Sequence, residues 1–412
     1  MAGETDTIAE IAERISKDLF KFYRWKTLPN GLMNQNFNCE YKNSHCLTKT
    51  KDDYINEIKL KYETEIAKLK KEDADEAVVK HIEEKYNEDL EKFKEKNWKE
   101  EAEKSKTHPV DAVFYYVDPY SEKKIYFNTD LKSYAEKSIN TGSIRKAINS
   151  LAETIECARE SNEWQTRYGA EFSGEVRGLL FLLNHDGKFS NNIFRSFKSY
   201  DDQENQKDSN QKIISENLKI AKNQLIHIID PATVCYMQTV KKDIAGLQQD
   251  YLFPKSKNNF HFFYPNLKRH RPRILLSDCP ATVEMLCGPF MILEHESFPN
   301  EDENISLPSG YLIYYRIEGS TKEEFLFLLD TLSGFQILKE YKSIQIRLIN
   351  INYHSQAEEN FRNAIADYIE SWYLNTQAAK VLNEITFAIV DNPVREFLKK
   401  PISYRSLTGE QE

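Results

Sequence analysis

Two runs of strand-forming residues, separated by a tight turn, constrain the fold of this chain more than any other feature. The first run extends from Val110 to Asp118 and the second from Ile125 to Tyr134, and both are rich in β-branched and aromatic residues. Residues 118–121 (DPYS) have the composition of a turn. We therefore predict a β-hairpin over this segment.

The register of this hairpin brings acidic residues together. Facing residues of an antiparallel hairpin have a constant index sum, so a turn centred at residues 120–121 places Asp111 opposite or close to Asp130. Because side chains alternate along a strand, Asp130 and Lys132 share one face. The end of the hairpin farthest from the turn is therefore predicted to gather two carboxylates and one ammonium group.

This group of charges predicts phosphodiester hydrolysis. Two apposed carboxylates repel each other unless a cation lies between them, and Mg²⁺, which Mn²⁺ can replace, commonly takes several oxygen ligands in proteins. A nearby lysine can align a water molecule or stabilise the negative charge that develops on a phosphate. The alternative is a salt bridge between Asp111 and Lys132 on a solvated surface.

The elements around the hairpin predict a mixed α/β sheet. A helix begins near Ser143, and residues 176–183 (VRGLLFLL) have the composition of a buried parallel strand. A first helix is marked by apolar residues at helical spacing, namely Ile8, Ile11, Ile15, Leu19 and Phe22. The order helix, strand, strand, helix, strand is that of a sheet with a right-handed crossover between its parallel strands.

Composition shifts divide the remaining chain. Residues 51–106 are highly charged with two narrow apolar seams, which predicts an antiparallel helical hairpin inserted into the first domain. A polar span from Tyr200 to about Ser215 indicates a boundary. We therefore predict a first domain at residues 1–200 and a C-terminal α/β domain for recognition or assembly at 210–412.

Overall composition predicts a globular cytoplasmic protein. The first residues lack a basic segment followed by an apolar run, and no stretch of about 18 apolar residues occurs. The 6 cysteines are dispersed over 412 residues, which indicates reduced thiols. A formal net charge of -9 argues against a generally basic surface but is compatible with a local basic groove.

One segment combines aromatic and basic residues in a way that suits nucleic acid. In residues 258–273 (NNFHFFYPNLKRHRPR), the rings would stack on bases while cationic side chains contact phosphates. The predicted phosphate-binding residues are Lys268, Arg269, Arg271 and Arg273. The alternative is a strand of core aromatic residues followed by an exposed loop.

Two further candidates have simpler alternatives. Residues 39–46 (CEYKNSHC) could start a zinc site with His108, but this spacing is not a common zinc pattern and idle or buried thiols are favoured. His185 and Asp186 follow the predicted buried strand at its C-terminal end, where sites often lie in α/β sheets. A simple loop cap is favoured there as well.

The hairpin with residues 109–111 (PVD) before it and residues 130–132 (DLK) in its second strand resembles the PD-(D/E)XK superfamily of restriction-endonuclease-like nucleases. The core of that superfamily is a helix, a hairpin carrying the motif, a helix and a further strand, the order predicted above. One extra residue separates the proline from the aspartate here. The resemblance covers roughly Thr7 to Asn184 and implies a restriction-endonuclease-like mixed sheet.

The resemblance also implies roles for individual residues. Metal ligands would be Asp111, Asp130 and the carbonyl of Leu131. Lys132 would handle the water molecule or stabilise the transition state. Many members add a glutamate from the first helix, for which Glu10 and Glu13 are the candidates.

Together these features predict a two-domain endonuclease or exonuclease that depends on Mg²⁺ and acts on nucleic acid, with DNA as the expected substrate. Nucleases with such added modules resemble components of prokaryotic defence against phage or mobile elements, in which a partner often licenses cleavage. A protein partner or a homo-oligomer is therefore expected. The alternative is a catalytically inert scaffold that keeps the nuclease fold and binds protein partners.

Overall fold

The computed structural model describes residues 2–27, 35–39, 51–71, 76–94, 107–170, 174–189, 193, 218–268, 278–300, 302–339, 341–350 and 352–390. The chain forms two compact units. The first comprises Met1–Gln35, Val110–Arg159 and Trp164–Glu412, and the second comprises Asn36–Pro109 and Glu160–Glu163. The predicted boundary between residues 200 and 210 lies outside the described residues and stays a prediction.

The described strands, in chain order, are β1 (Lys26–Thr27), β2 (Phe37–Asn38), β3 (Thr107–His108), β4 (Ala112–Val117), β5 (Lys124–Tyr134), β6 (Glu175–Asn184), β7 (Ile226–Ile229), β8 (Phe260–Phe262), β9 (Phe290–His295), β10 (Phe298–Asn300), β11 (Ile305–Leu307), β12 (Gly310–Tyr315), β13 (Ser343–Leu348) and β14 (Thr386–Ile389). The described α-helices are α1 (Ala2–Phe22), α2 (Lys51–Lys71), α3 (Glu76–Lys94), α4 (Thr141–Glu160), α5 (Asn162–Tyr168), α6 (Pro231–Gln249), α7 (Pro265–Lys268), α8 (Val283–Cys287), α9 (Lys322–Gly334), α10 (Ala357–Ser371) and α11 (Thr376–Asn383).

The first unit contains the predicted hairpin in a five-stranded sheet of order β1-β4-β5-β6-β7. Strands β4 and β5 pair antiparallel, and β5 pairs parallel with β6 through the crossover helix α4. The carboxylate of Asp118 accepts hydrogen bonds from the backbone N–H groups of Tyr120 and Ser121, which closes the turn. The hairpin and the mixed α/β sheet predicted from the sequence are confirmed.

Both faces of this sheet are buried under helices. On one face, the predicted stripe of α4 packs against Leu180 and Leu182 of β6. Gly178 permits the close approach of α4, because a Cβ atom there would lie 2.9 Å from the side chain of Leu151. On the other face, α1 and α6 share one hydrophobic core with the sheet, and the predicted core residues Ile15 and Leu19 of α1 are buried in it.

A second five-stranded sheet, of order β14-β13-β12-β9-β8, completes the first unit. Strands β12, β13 and β14 run parallel, whereas β9 pairs antiparallel with β12 and β8 pairs antiparallel with β9. Residues of α9, α10 and α11 pack on one face of this sheet, while residues of its other face join the core around α6. The C-terminal α/β architecture predicted from the sequence is therefore present.

A partly buried ion pair connects α6 to the second sheet. The carboxylate of Asp243 accepts hydrogen bonds from Arg347, one of them 2.6 Å long, and from the Tyr314 hydroxyl at 2.8 Å. The side chain of Asp243 is only 9% exposed. The aromatic residues after α1 add further ties, since the Tyr23 hydroxyl donates to the carbonyl of Met237 in α6.

The second unit contains the helices α2 and α3, which lie within the range predicted for a helical hairpin. Their apolar seams meet at Tyr62 and Tyr86, whose ring centroids lie 5.4 Å apart. Strands β2 and β3 pair antiparallel in the same unit, with Phe37 opposite His108. Over the described part of the whole chain, no helix combines the length and apolarity needed to cross a membrane.

Candidate active site

The two predicted acids meet at the end of the β4–β5 hairpin farthest from its turn. Ala112 pairs with Thr129, so the next step of the same register sets Asp111 opposite Asp130. Strand β4 begins after Asp111, and one carboxylate oxygen of Asp111 accepts a 2.7 Å hydrogen bond from the backbone N–H of Leu131. The predicted facing of the two acids is therefore confirmed.

Lys132 completes the cluster. Asp130 and Lys132 lie on the same face of β5, and their charged groups form an ion pair. The side chain of Asp130 is 18% exposed and that of Lys132 is 33% exposed, so the pair is partly accessible to a ligand. The Asp111 carboxylate also acts electrostatically on Lys132. The structure thus brings together the three residues that the sequence analysis placed at the site.

The electrostatics of the cluster favour an additional cation. Burial raises the pKa of Asp130 to about 6; the Lys132 ammonium opposes this shift, and the neighbouring Asp111 carboxyl adds to it. Burial lowers the pKa of Lys132, but Asp130 and Asp111 outweigh this effect and hold it above its ordinary value. Ionised Asp130 is therefore destabilised in the fold, and a bound cation would relieve that cost.

The oxygen atoms at this position suit a divalent metal ion. Asp111 uses one carboxylate oxygen for Leu131 and keeps a second, and Asp130 presents a carboxylate opposite it. A strand residue directs its N–H and C=O toward the same edge, so the carbonyl of Leu131 lies on the edge occupied by Asp111. Carboxylate and carbonyl oxygens are the ligands that Mg²⁺ and Mn²⁺ prefer. The residues present therefore fit such an ion.

Helix α5 contributes a wall of the site that the sequence analysis missed. Tyr168 is buried, and its hydroxyl donates a hydrogen bond to the carbonyl of Gln35. Burial raises the pKa of Tyr168 to about 12; the charge of a neighbouring arginine opposes this shift, and the charge of Asp111 adds to it. Trp164 donates a 3.3 Å hydrogen bond to Asn128, which lies on the same face of β5 as the acids. The spacing of four residues between Trp164 and Tyr168 was the sequence signal that could have placed both rings on one face of a helix.

The strand end beyond Lys132 adds a half-buried tyrosine. Tyr134 continues the face of the acids, and its pKa is raised by burial, with Asp130 adding to the shift and Lys132 opposing it. On the other face, Ser133 lies 3.3 Å from Nδ1 of His185. The backbone N–H groups of Glu136 and Lys188 donate to Asp186, as the loop-cap interpretation predicts.

The predicted nucleic-acid segment needs a partial correction. The rings expected to stack on bases are buried core residues, namely Phe260, Phe262, Phe263 and Tyr264. They pack beneath the second sheet and around α6, so they cannot stack on a nucleic acid. Arg269, Arg271 and Arg273 lie outside the described residues, as does the side chain of Lys268, and their phosphate contacts stay a prediction.

Two other candidates stay predictions. Glu10 is exposed on α1 and Glu13 is half-buried, and the contacts of α1 do not choose between them as a further acid. In the proposed zinc segment, Cys39 and His108 are buried, whereas His45 and Cys46 lie outside the described residues.

In metal-free protein, we expect Asp130→Asn to be more stable than the parent at neutral pH. The folded pKa of Asp130 is about 6 against an ordinary value of 3.8, so the folded state binds the proton more tightly. The free energy of unfolding of the parent should therefore fall as pH rises through this window and level off above it. Asparagine does not titrate, so the variant should gain on the order of 2 kcal/mol relative to the parent over the same window.

Urea unfolding in EDTA at acidic and neutral pH measures this difference. Glu160→Gln, a substitution at an exposed acid, serves as the control, and its free energy of unfolding relative to the parent should not change over this pH range. An Asp130→Asn variant that is less stable than the parent at neutral pH would mean that the ion pair with Lys132 dominates instead.

Comparison with protein families places the cluster in a known domain. Residues 78–233 match the family described as GAPS4 protein PD-(D/E)XK nuclease domain. The matched range includes Asp111, Asp130 and Lys132 together with α4, β6 and β7. No curated protein and no solved structure matched the chain. The PD-(D/E)XK resemblance deduced from the sequence is thereby confirmed for this part of the chain.

Proposed function

We propose, from the PD-(D/E)XK nuclease domain at residues 78–233, that this protein is a metal-dependent nuclease that hydrolyses phosphodiester bonds of DNA. The observation that carries the proposal is the meeting of Asp111, Asp130 and Lys132 at one end of the hairpin. Apposed carboxylates beside an ammonium group form a site for a phosphate and a divalent ion.

Each residue has a distinct role in this proposal. Asp111, Asp130 and the Leu131 carbonyl would hold Mg²⁺ or Mn²⁺, which supplies a Lewis acid and lowers the pKa of a bound water molecule. The hydrogen bond from the Leu131 N–H fixes the orientation of the Asp111 carboxylate, as groups around a metal ligand commonly do.

Lys132 is assigned an electrostatic role. The pKa of its ammonium group is raised in the metal-free site, so it is charged at neutral pH and is a poor base. Its positive charge would stabilise the phosphate oxygens as negative charge develops on them in the transition state. The ion pair with Asp130 holds the ammonium in place before substrate arrives.

The biological setting is also part of the proposal. A nuclease domain combined with a second α/β sheet suits a defence nuclease that acts on phage or mobile-element DNA, and a protein partner or homo-oligomer would control it. The cytoplasmic location predicted from the sequence stays a prediction. A catalytically inert scaffold is the competing function, because an Asp130–Lys132 ion pair is also what a purely structural contact would look like.

Incubation of the purified protein with closed circular DNA, linear DNA and RNA tests the proposal. We expect cleavage of DNA in Mg²⁺ or Mn²⁺ and none in EDTA, with opening of circular DNA identifying an endonuclease. The same ions should raise the melting temperature, because a ligand that binds the folded state stabilises it. Absence of both cleavage and metal-induced stabilisation would favour the scaffold.

A further inference from the structure

A cavity of about 590 Å³ lies among the C-terminal helices of the first unit. It is bounded by the second half of α9, the end of α10 and helix α11. Its lining includes Asp330, Ser333, Tyr368, Trp372, Leu374 and Leu382. The volume lies in the range of roughly 300–1,000 Å³ that is typical of ligand sites.

The turn after α10 places an aromatic ring at the mouth of this cavity. Helix α10 ends at Ser371, and Tyr373 has a left-handed backbone conformation with φ of 48°. Asn375 then caps α11 by accepting a hydrogen bond from the N–H of Ala378. As a result Trp372 is 62% exposed while it lines the cavity. A largely exposed indole offers one ring face to a ligand.

The α9 side of the lining is polar and acidic. Asp330 and Ser333 lie one turn apart on α9. Burial raises the pKa of the Tyr368 hydroxyl, with Ser333 opposing this shift and Asp330 adding to it, so both α9 residues act on that hydroxyl. Tyr368 is buried and its ring centroid lies 6.2 Å from that of Trp372. Asp330 is the one ionisable acid among the eight lining residues, and none of the eight is basic. The cavity therefore disfavours phosphates and other anions.

A carboxylate and an exposed indole that line the same cavity favour a flat cation. A guanidinium group can stack on the ring of Trp372 and form two parallel hydrogen bonds with Asp330, whereas an ammonium group cannot do both. The apolar residues Leu374 and Leu382 would contact the methylene groups that carry such a cation.

Two exposed aromatic residues adjoin lining residues of the cavity along the chain and are here called its aromatic rim. Phe327 lies one turn before Asp330 on α9 and is 68% exposed, and Tyr373, which follows Trp372, is 93% exposed. Exposed aromatic residues around a pocket are typical of protein-binding surfaces. We propose that this cavity binds an arginine side chain of a protein partner, flanked by apolar residues that cover the aromatic rim.

Short blocked peptides test this proposal on the full-length protein. The probe is acetyl-Leu-Arg-Leu-amide, compared with the same peptide carrying citrulline or lysine in place of arginine, and with free agmatine. Binding is followed by thermal shift and by ligand-observed NMR up to millimolar concentrations. Because citrulline keeps the shape but lacks the charge, we expect the arginine peptide to bind at least about tenfold more tightly.

Two substitutions locate the binding. Trp372→Ala and Asp330→Asn should each weaken binding of the arginine peptide by about tenfold. Glu323→Gln, which changes an exposed acid of α9 outside the lining, should leave it unchanged. All three side chains are exposed, so each variant should fold like the parent.

Several results would overturn the proposal. Equal affinity for the arginine and citrulline peptides would show that the positive charge of the side chain does not contribute to binding. Equal affinity for agmatine and the peptide would indicate a small-molecule site instead of a protein-docking site. No saturable binding by the parent at millimolar peptide, or binding that survives both Trp372→Ala and Asp330→Asn, would also contradict it.

Discussion

Lys132→Ala should reduce the rate of DNA cleavage by roughly 100- to 1,000-fold or more, the range for loss of one preorganised group that stabilises transition-state charge. The ammonium group of Lys132 is held beside Asp130 at the hairpin end, where a substrate phosphate would bind the proposed metal ion. Asp111→Asn and Asp130→Asn should be at least as damaging, because each would remove the charge of a proposed metal ligand. Single-turnover cleavage assays with saturating enzyme measure these losses.

Substitutions at Lys132 also distinguish two possible roles of this residue, an electrostatic role and that of a general base. Lys132→Arg keeps the positive charge, so part of the activity should remain if the residue acts electrostatically. If Lys132 must instead lose a proton to activate water, the arginine variant should be as inactive as the alanine variant. Lys123→Ala is the matched control, because Lys123 is exposed near the opposite end of the hairpin and its substitution should leave the cleavage rate unchanged. Activity of Lys132→Ala equal to that of the parent would refute the assigned site.

Asp243→Ala should lower the free energy of unfolding by about 2–3 kcal/mol, because it removes one partner of a partly buried ion pair and leaves two donor groups without their acceptor. The substitution leaves the Arg347 guanidinium without its carboxylate partner and the Tyr314 hydroxyl without its acceptor. Tyr314 is buried, so its hydroxyl loses its acceptor outright, whereas the Arg347 side chain is 19% exposed and water can replace part of its lost contact. Equilibrium unfolding in urea measures the change.

A double substitution tests the cause of this loss. Replacing both charged partners, as in Asp243→Leu with Arg347→Met, removes the unpaired charge and should restore much of the stability. Asp367→Ala, which breaks an exposed ion pair with Lys322, should change stability far less. If the double variant is as unstable as Asp243→Ala alone, the packing of the site, and not the unpaired arginine, controls stability.

The facing of the two acids could be predicted from sequence because it depends on local geometry. An antiparallel hairpin with a tight turn has one index sum, and the observed pairing of Ala112 with Thr129 has the sum that the turn at residues 120–121 implies. The alternation of side chains then placed Asp130 and Lys132 on one face. No information from distant parts of the chain was required.

Features that depend on tertiary packing could not be predicted in the same way. The rings of Phe260 and Phe262 have the same local pattern whether they stack on bases or fill a core, and only their packing in the core shared with α6 decides. The contact of Tyr168 with the carbonyl of Gln35 joins residues 133 positions apart. The cavity beside Trp372 likewise depends on how three helices meet.

The 2.7 Å hydrogen bond from the Leu131 N–H to the Asp111 carboxylate limits which changes of length the hairpin turn can tolerate. Adding or deleting one residue in the turn near Tyr120, with the strands re-pairing around an equally tight turn, would shift the pairing by one position and turn each side chain of one strand to the other face. Asp111 would then no longer oppose Asp130, although all three residues of the cluster would still be present. The length of the turn is therefore as important for the cluster as the identity of its acids, and a one-residue insertion or deletion there should disrupt it as fully as the loss of an acid.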